Sequence, residues 1–369
     1  MLTVGTGNKA IASAVRDAKP AVVAAYPITP QTEIVEEIAN YVSTGALKSR
    51  YIPVESEHSS MAACLGAAAT GVRTFTATSS HGLVYMCEML HMVAGARLPI
   101  VMANANRSIG PGWNINAEHT DSLSMRDTGW LQCYVASAQE AYDTTLMAFR
   151  IAEHNDVLLP VMVNLDGFLL THSIQPLRTV EVGDFLPPIS LPHAIDMDNP
   201  GGYGTLTTGD VHFKFRWDME RAMRDSVHVI EETQKAFAEA FGREYGMTED
   251  YRTEDAEVII IALGTMGKEM EVAVDQLRDE GVKAGSMRIR WLRPFPVLDL
   301  AGRDVVVIDR DYSFGYGGIV AGEIRAKTGT EVFSVIAGIG GQEVTYNDIA
   351  TFVRDRRPGG ELWFGVEDS

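Results

Sequence analysis

Cysteine is scarce. The 369 residues hold three, Cys64, Cys87 and Cys133. They form no CxxC and no spacing that suits a zinc or iron–sulfur site. Unpaired, buried-looking thiols fit a reducing cytoplasm. Basic runs are also missing. The formal net charge is −18, and no Lys/Arg cluster interrupts it, so the basic face of a nucleic-acid binder is excluded. The acidity favours solubility and a basic partner and says little about fold. No apolar run reaches the about 20 residues of a membrane span. The N-terminus, MLTVGTGNKAIASAV, lacks the apolar core of a signal peptide. A cytoplasmic protein with no membrane or nucleic-acid partner is expected. Two phosphate motifs are absent too: no GxGxxG follows the first strand, and there is no P-loop. Repeats and low-complexity tracts are lacking.

What remains is a folded globular composition, 46% hydrophobic with 34 glycines and 15 prolines. Apolar spacing predicts helices at 8–18 and 32–42, the second starting just past a proline turn. Residues 58–71 read as a helix of very small residues ended by Gly71. Between these lie the strands AVVAAY, SRYIPVES, VRTFTATS, LPIVMANAN and DVLLPVMVNLDG. A Ser-Ser-His-Gly turn after VRTFTATS leads into a helix, LVYMCEMLHMVAGA. Strands alternating with helices define a parallel α/β sheet. The pattern breaks near 172 in a Pro/Gly/Asp-rich linker, and a long helix follows at roughly 214–242. Alternation then resumes from about 255 to 350. Three segments are expected: a first α/β domain over 1–175, a linker and long helix over 176–250, and a smaller α/β domain over 251–369.

Ligands of open α/β sheets bind beyond the carboxyl ends of the strands. Four such ends carry unusual residues: Tyr26-Pro27-Ile28-Thr29-Pro30; Glu55-Ser56-Glu57-His58; Thr78-Ser79-Ser80-His81-Gly82; and Asn104 to Arg107, followed by SIGPGWNINAEHTDSL. Each has a plainer reading. The prolines shape a turn, Glu57 complements a helix dipole, Ser79 and Ser80 cap a helix, and Arg107 joins an ion pair. His58, His81 and His119 have no metal spacing, so no metal ligand is expected. The glycine clusters at 315–318 and 338–341 read as structural turns. Four such ends along one sheet edge are less easily set aside than any one of them.

Taken together, YPITP (26–30), VESEH (54–58), GVRTFTATSSHGL (71–83), GARLPIVM (95–102), Asn106-Arg107 and RDTGW (126–130) resemble the alpha subunit of the 2-oxoacid:ferredoxin oxidoreductases, pyruvate synthase in particular. The likeness continues through YRTEDAEVIIIALGTMG, RPFPV, VIDRDYSFGYGG and IAGIGGQEVT and covers nearly the whole chain. The resemblance implies a transketolase-like first domain that holds the pyrimidine end of thiamine diphosphate. It implies a smaller second domain like the transketolase C-terminal domain. The implied reaction is oxidative decarboxylation of a 2-oxoacid, pyruvate first, to acyl-CoA and carbon dioxide, with electrons passing to ferredoxin.

The family's Gly-Asp-Gly motif for diphosphate and Mg2+ is absent here. Magnesium and the iron–sulfur clusters are therefore expected on partner chains: beta, gamma and a ferredoxin-like delta. Coenzyme A would be a co-substrate. By resemblance Glu57 hydrogen-bonds the pyrimidine and relays a proton, a task suited to a partly desolvated carboxyl. Thr29 faces the cofactor and the 2-oxoacid, and its proline bracket suits a preorganised contact. Arg107 pairs with the substrate carboxylate, with Asn114 beside it. Tyr26, Pro27, Ile28, Ser79, Ser80 and His81 complete the cofactor surface. The loop after Arg107, with Trp113, departs from the pyruvate members, which keeps an aryl glyoxylate or a branched-chain 2-oxoacid open as substrate. From other classes, a non-catalytic assembly subunit and a thiamine decarboxylase without electron transfer are the rivals.

Overall fold

The computed structural model describes residues 2–198 and 200–366. Its strands are β1 (Leu2–Gly5), β2 (Val22–Ala25), β3 (Arg50–Pro53), β4 (Thr74–Thr78), β5 (Val101–Asn106), β6 (Leu131–Val135), β7 (Val161–Asp166), β8 (Gln175–Arg178), β9 (Thr248–Tyr251), β10 (Val258–Leu263), β11 (Ala284–Ile289), β12 (Trp291–Arg293), β13 (Asp304–Asp309), β14 (Val332–Ile336) and β15 (Glu361–Trp363). The first sheet has seven strands in the order β12-β6-β7-β5-β4-β2-β3, and the second has six, β15-β14-β13-β10-β11-β9. Strands β2 to β7 run parallel. Strand β12 joins β6 antiparallel, and β9 joins β11 antiparallel. A short antiparallel pair, β1 with β8, lies apart.

The central strands read as near-continuous apolar runs because helices cover both faces of the sheet. One face packs against the helices Gly7–Ala18, Thr32–Ser43 and Ala138–Ala152 and the C-terminal half of the long helix Gly209–Phe241. The other face packs against Glu57–Ala68 and Cys87–Gly95. The second sheet is sandwiched by Ile319–Thr328 on one side and by Met266–Asp279 and Tyr346–Arg354 on the other. The long helix ends where Gly242 takes the left-handed conformation, φ 70°, which costs glycine no steric penalty.

The sequence reading differs from the fold in several places, and the short strands β1, β9 and β15 and the helix Tyr346–Arg354 were not read from it either. The Ser-Ser-His-Gly segment is not a free turn: helix Ser80–Tyr85 begins inside it, and a break at Met86 separates it from Cys87–Gly95. Strand β6 was not anticipated, nor was β8 within the linker. The run KAGSMRIRWLRPFP is not one strand. It splits at Arg290, giving β11 to the second sheet and β12 to the first.

The two sheets are also joined by buried charge. Arg288 and Arg290 both reach Glu140, at 3.0 and 2.5 Å. Arg288 also donates to the Tyr134 carbonyl, and Arg290 to Thr144 Oγ1. The two guanidiniums outweigh burial and hold the Glu140 carboxyl down at about 2. A second junction gathers His119, Asp166, Thr265 and Arg310. His119 Nε2 lies 2.6 Å from Asp166 Oδ1, and Arg310 Nη1 lies 3.1 Å from Asp166 Oδ2. The C-terminal edge of the second sheet is thus consumed in docking onto the first.

Candidate functional site

The strand order locates the crevice. From β2 the chain moves outward to β3, then returns to the other side of β2 for β4. A reversal of this kind opens the ligand crevice of an α/β sheet at the strands' carboxyl ends. Tyr26–Pro30 follows β2, Glu57 follows β3, Ser79–His81 follows β4 and Arg107 follows β5. All the residues singled out from the sequence except Asn114 therefore stand on one edge, at or beside this reversal.

Thr29 is exposed, and its carbonyl accepts a 2.6 Å bond from Arg107 Nη1. The turn beneath is held by Gln31 Nε2 donating to the Tyr26 carbonyl at 2.8 Å and by Asn8 Nδ2 donating to the Pro30 carbonyl at 2.8 Å. Tyr26 and Pro27 face solvent and Ile28 is half-buried. Arg107 is buried, and its Nε has no partner among the described residues. Burial lowers the proton affinity of its guanidinium, which stays charged at any physiological pH.

Glu57 is the first residue of its helix, whose N-cap is Ser56. It is only 8% exposed, and among the described residues no hydrogen bond holds its carboxylate. A Cβ on Gly82 would fall 2.6 Å from both Glu57 Oε1 and Thr78 Oγ1. Only glycine leaves room there. Thr78 Oγ1 is itself buried without a partner among the described residues. Glu57 Oε1 and the buried, unpaired Thr78 Oγ1 thus both border the floor left by Gly82 and form a small polar cradle. The neighbouring His58 points elsewhere, 3.6 Å from Glu88.

Ser79 Oγ donates to the Ala105 carbonyl at 2.7 Å. Ser80 sits at φ 51°, a sparsely populated conformation for a non-glycine residue. Its hydroxyl donates to the Ser108 carbonyl and contacts His81 Nδ1. His81 Nε2 lies 3.1 Å from the Gly110 carbonyl, and its ring packs 4.9 Å from that of Trp113. Trp113 is 78% exposed. Asn114 uses its side chain on the loop itself. Its Nδ2 donates to the Gly340 carbonyl at 2.7 Å, and its Oδ1 accepts from Asn116 N at 2.8 Å. The Gly338–Gly341 turn is therefore the seat of this loop.

Thr78 and Gly82 bound the third of the strand ends picked out from the sequence but were given no role, and Asp121 was not singled out. Asp121 lies fully buried in the short helix Thr120–Ser124. Burial raises its proton affinity, and the hydrogen bonds it accepts pull the other way. One sequence signal existed for Thr78 and Gly82: both flank the serine pair at a strand end.

A transketolase-like thiamine-diphosphate fold is what this architecture and crevice define. Residues 13–235 match the model of the pyruvate flavodoxin/ferredoxin oxidoreductase thiamine-diphosphate-binding domain, and residues 256–349 match pyruvate:ferredoxin oxidoreductase core domain II. Subunit PorA of pyruvate synthase from Methanothermobacter thermautotrophicus is 43% identical, over 100% of this chain and 99% of its own. Subunit VorA of ketoisovalerate oxidoreductase from Pyrococcus horikoshii is also 43% identical, over 96% and 93%. Among solved structures, a 2-oxoglutarate:ferredoxin oxidoreductase from Magnetococcus marinus aligns with a TM-score of 0.75 at 22% identity, over 96% of this chain and 65% of that one. A split-gene transketolase aligns at 0.57 with 14% identity. The chain belongs to the 2-oxoacid:ferredoxin oxidoreductase family, as its alpha subunit.

Proposed function

We propose that this subunit oxidatively decarboxylates pyruvate to acetyl-CoA and carbon dioxide, within a complex whose partners carry the electrons to ferredoxin. The observation that carries this reading is the cradle at Gly82, where the Glu57 carboxylate, with no hydrogen bond among the described residues, meets the buried, unpaired Thr78 Oγ1 on the same strand-end edge as the Thr29–Arg107 pair. The residues fit the aminopyrimidine end of thiamine diphosphate. Glu57 would hold a proton at a ring nitrogen, and Tyr26 to Thr29 and Ser79 to His81 would wall the ring. When bound, this cofactor supplies the nucleophilic carbon and the electron sink that decarboxylation needs. Arg107, with its Nε unpaired, would receive the 2-oxoacid carboxylate, for which a planar guanidinium is suited. Glu57 would return its proton during turnover, as a general acid–base group does.

Diphosphate, Mg2+ and iron–sulfur clusters are assigned to the beta, gamma and delta partners, because this chain has no Gly-Asp-Gly and only scattered cysteines. Cys64 and Cys133 are core thiols whose pKa burial pushes up to about 12, too high for a ready ligand or nucleophile. Coenzyme A would take the acyl group. A branched-chain 2-oxoacid is the second reading, favoured by the equal identity to the VorA subunit and by the exposed Trp113 wall. The test is a panel of 2-oxoacids assayed on the assembled complex with coenzyme A and a viologen dye. Dye reduction with pyruvate above all others supports the first reading, and with 2-oxoisovalerate the second. No dye reduction with any 2-oxoacid overturns both.

A further inference from the structure

We propose that Asp121 is a positioning residue whose carboxylate fixes the segment Ser79–His81 against Arg107. It thereby sets where the substrate carboxylate stands relative to the cofactor. The inference rests on the assignment of Arg107 above. The last rung between β4 and β5 is Thr78 opposite Asn104. Beyond it the ladder ends and the two chains part. The Asp121 carboxylate fills the gap. Its Oδ2 accepts from Ser80 N at 3.0 Å, from Arg107 N at 3.2 Å and from Asn104 Nδ2 at 3.2 Å. Its Oδ1 accepts from Asn106 Nδ2 at 2.8 Å and from Ser122 N at 2.7 Å.

Two of these donors are the backbone amides of the proposed site segments. Ser80 is also the residue at φ 51°, a conformation that persists only where its surroundings over-determine it. Asp121 holds its amide, and Ser108, next to Arg107, takes its hydroxyl. Burying a charge costs stability that an apolar residue would not. A carboxylate is retained here because it alone can accept from five donors. An asparagine offers a single acceptor oxygen and turns an NH2 toward donors.

The test uses the assembled complex, with pyruvate and with 2-oxoisovalerate. Asp121→Asn should raise the 2-oxoacid KM about tenfold or more, since misplacing a binding group by about 1 Å costs up to about 10²-fold. The KM for coenzyme A should stay within about twofold, well under the about tenfold that 1.4 kcal/mol produces. A purely structural role would instead lower kcat with the folded fraction and leave the 2-oxoacid KM unchanged, and that result overturns the proposal. Should Asp121→Asn fail to assemble, Asn104→Ala removes one donor and keeps the carboxylate. A 2-oxoacid KM raised about threefold is then expected, roughly the loss of one weak hydrogen bond, and an unchanged KM overturns it. Arg107→Ala separates the two ideas. If it leaves KM unchanged, the substrate assignment fails; if it raises KM while Asp121→Asn does not, only the positioning role fails.

Discussion

At the scale of single residues, Glu57 carries the sharpest expectation. Glu57→Gln keeps shape and loses the exchangeable proton. Turnover of the assembled complex should fall about 10²–10⁴-fold, the usual worth of a general acid–base group. Hydrogen–deuterium exchange at C2 of the bound cofactor should slow alongside it. His58→Gln is the control and should be far milder, because His58 faces Glu88. Near-normal turnover and exchange in Glu57→Gln would remove the cofactor from this edge. A second residue-scale expectation concerns Asp309 and Asp311. Both are fully buried side by side. Burial raises Asp309 to about 6. Asp311 is pushed up by burial and by the Asp309 charge. Asp309 already accepts from Val320 N and Ala321 N. Asp311→Asn replaces a group whose ionised form burial and Asp309 disfavour with one that needs no proton to donate, so thermal stability at pH 7 should rise. A lower melting temperature would contradict this. The strand-end placement of Thr29, Glu57 and Arg107 was legible because punctuation marks strand ends: prolines, a serine pair, a break in apolar runs. Asp121 was not legible. Its donors lie as far as 41 residues away in sequence, and only the β4–β5 geometry makes them meet.

Elements were legible wherever they bury one face. The helices Gly7–Ala18 and Thr32–Ser43 follow the three-and-four spacing of their apolar residues. Strand β6 escaped notice although all five of its residues are buried, since LQCYV has neither a β-branched run nor a clear alternation. Strand β12 escaped because three residues are too few for a period. Helix Glu57–Ala68 turns Ser60, Met61, Cys64 and Ala68 inward. Its other side, Ala62, Ala63 and Ala67 with exposed Gly66, stays half open, and a Cβ on Gly66 would meet nothing within 4 Å. Such a surface admits another backbone at close range. Ala63→Leu should weaken assembly of the complex on gel filtration while the isolated subunit keeps its melting temperature. A drop in melting temperature with assembly unaffected would assign this side to internal packing.

For the whole molecule, the clasp of Glu140 with Arg288 and Arg290 contributes to the acid response, as does Asp166, which, against burial, Arg310 and His119 hold below the usual carboxylate range. The folded Glu140 carboxyl titrates at about 2 against an ordinary 4.5. Its contribution is complete above about pH 4.5 and is lost as the pH falls toward 2, because protonation then opposes the folded state. Wild-type urea midpoints should fall steeply between pH 5 and 3, whereas Glu140→Gln should start lower at pH 7 and fall less over the same range. Parallel slopes for the two proteins would show the clasp to be neutral. Strand β12 adds a different consequence. It belongs by sequence to the second sheet's run and by hydrogen bonding to the first sheet. A clam-shell opening between the sheets would have to unzip that strand from β6 and part the buried ion pairs together. The chain is stitched against such a hinge. A hinge between these two sheets is therefore not a motion that could widen the crevice without breaking both the strand pairing and the clasp.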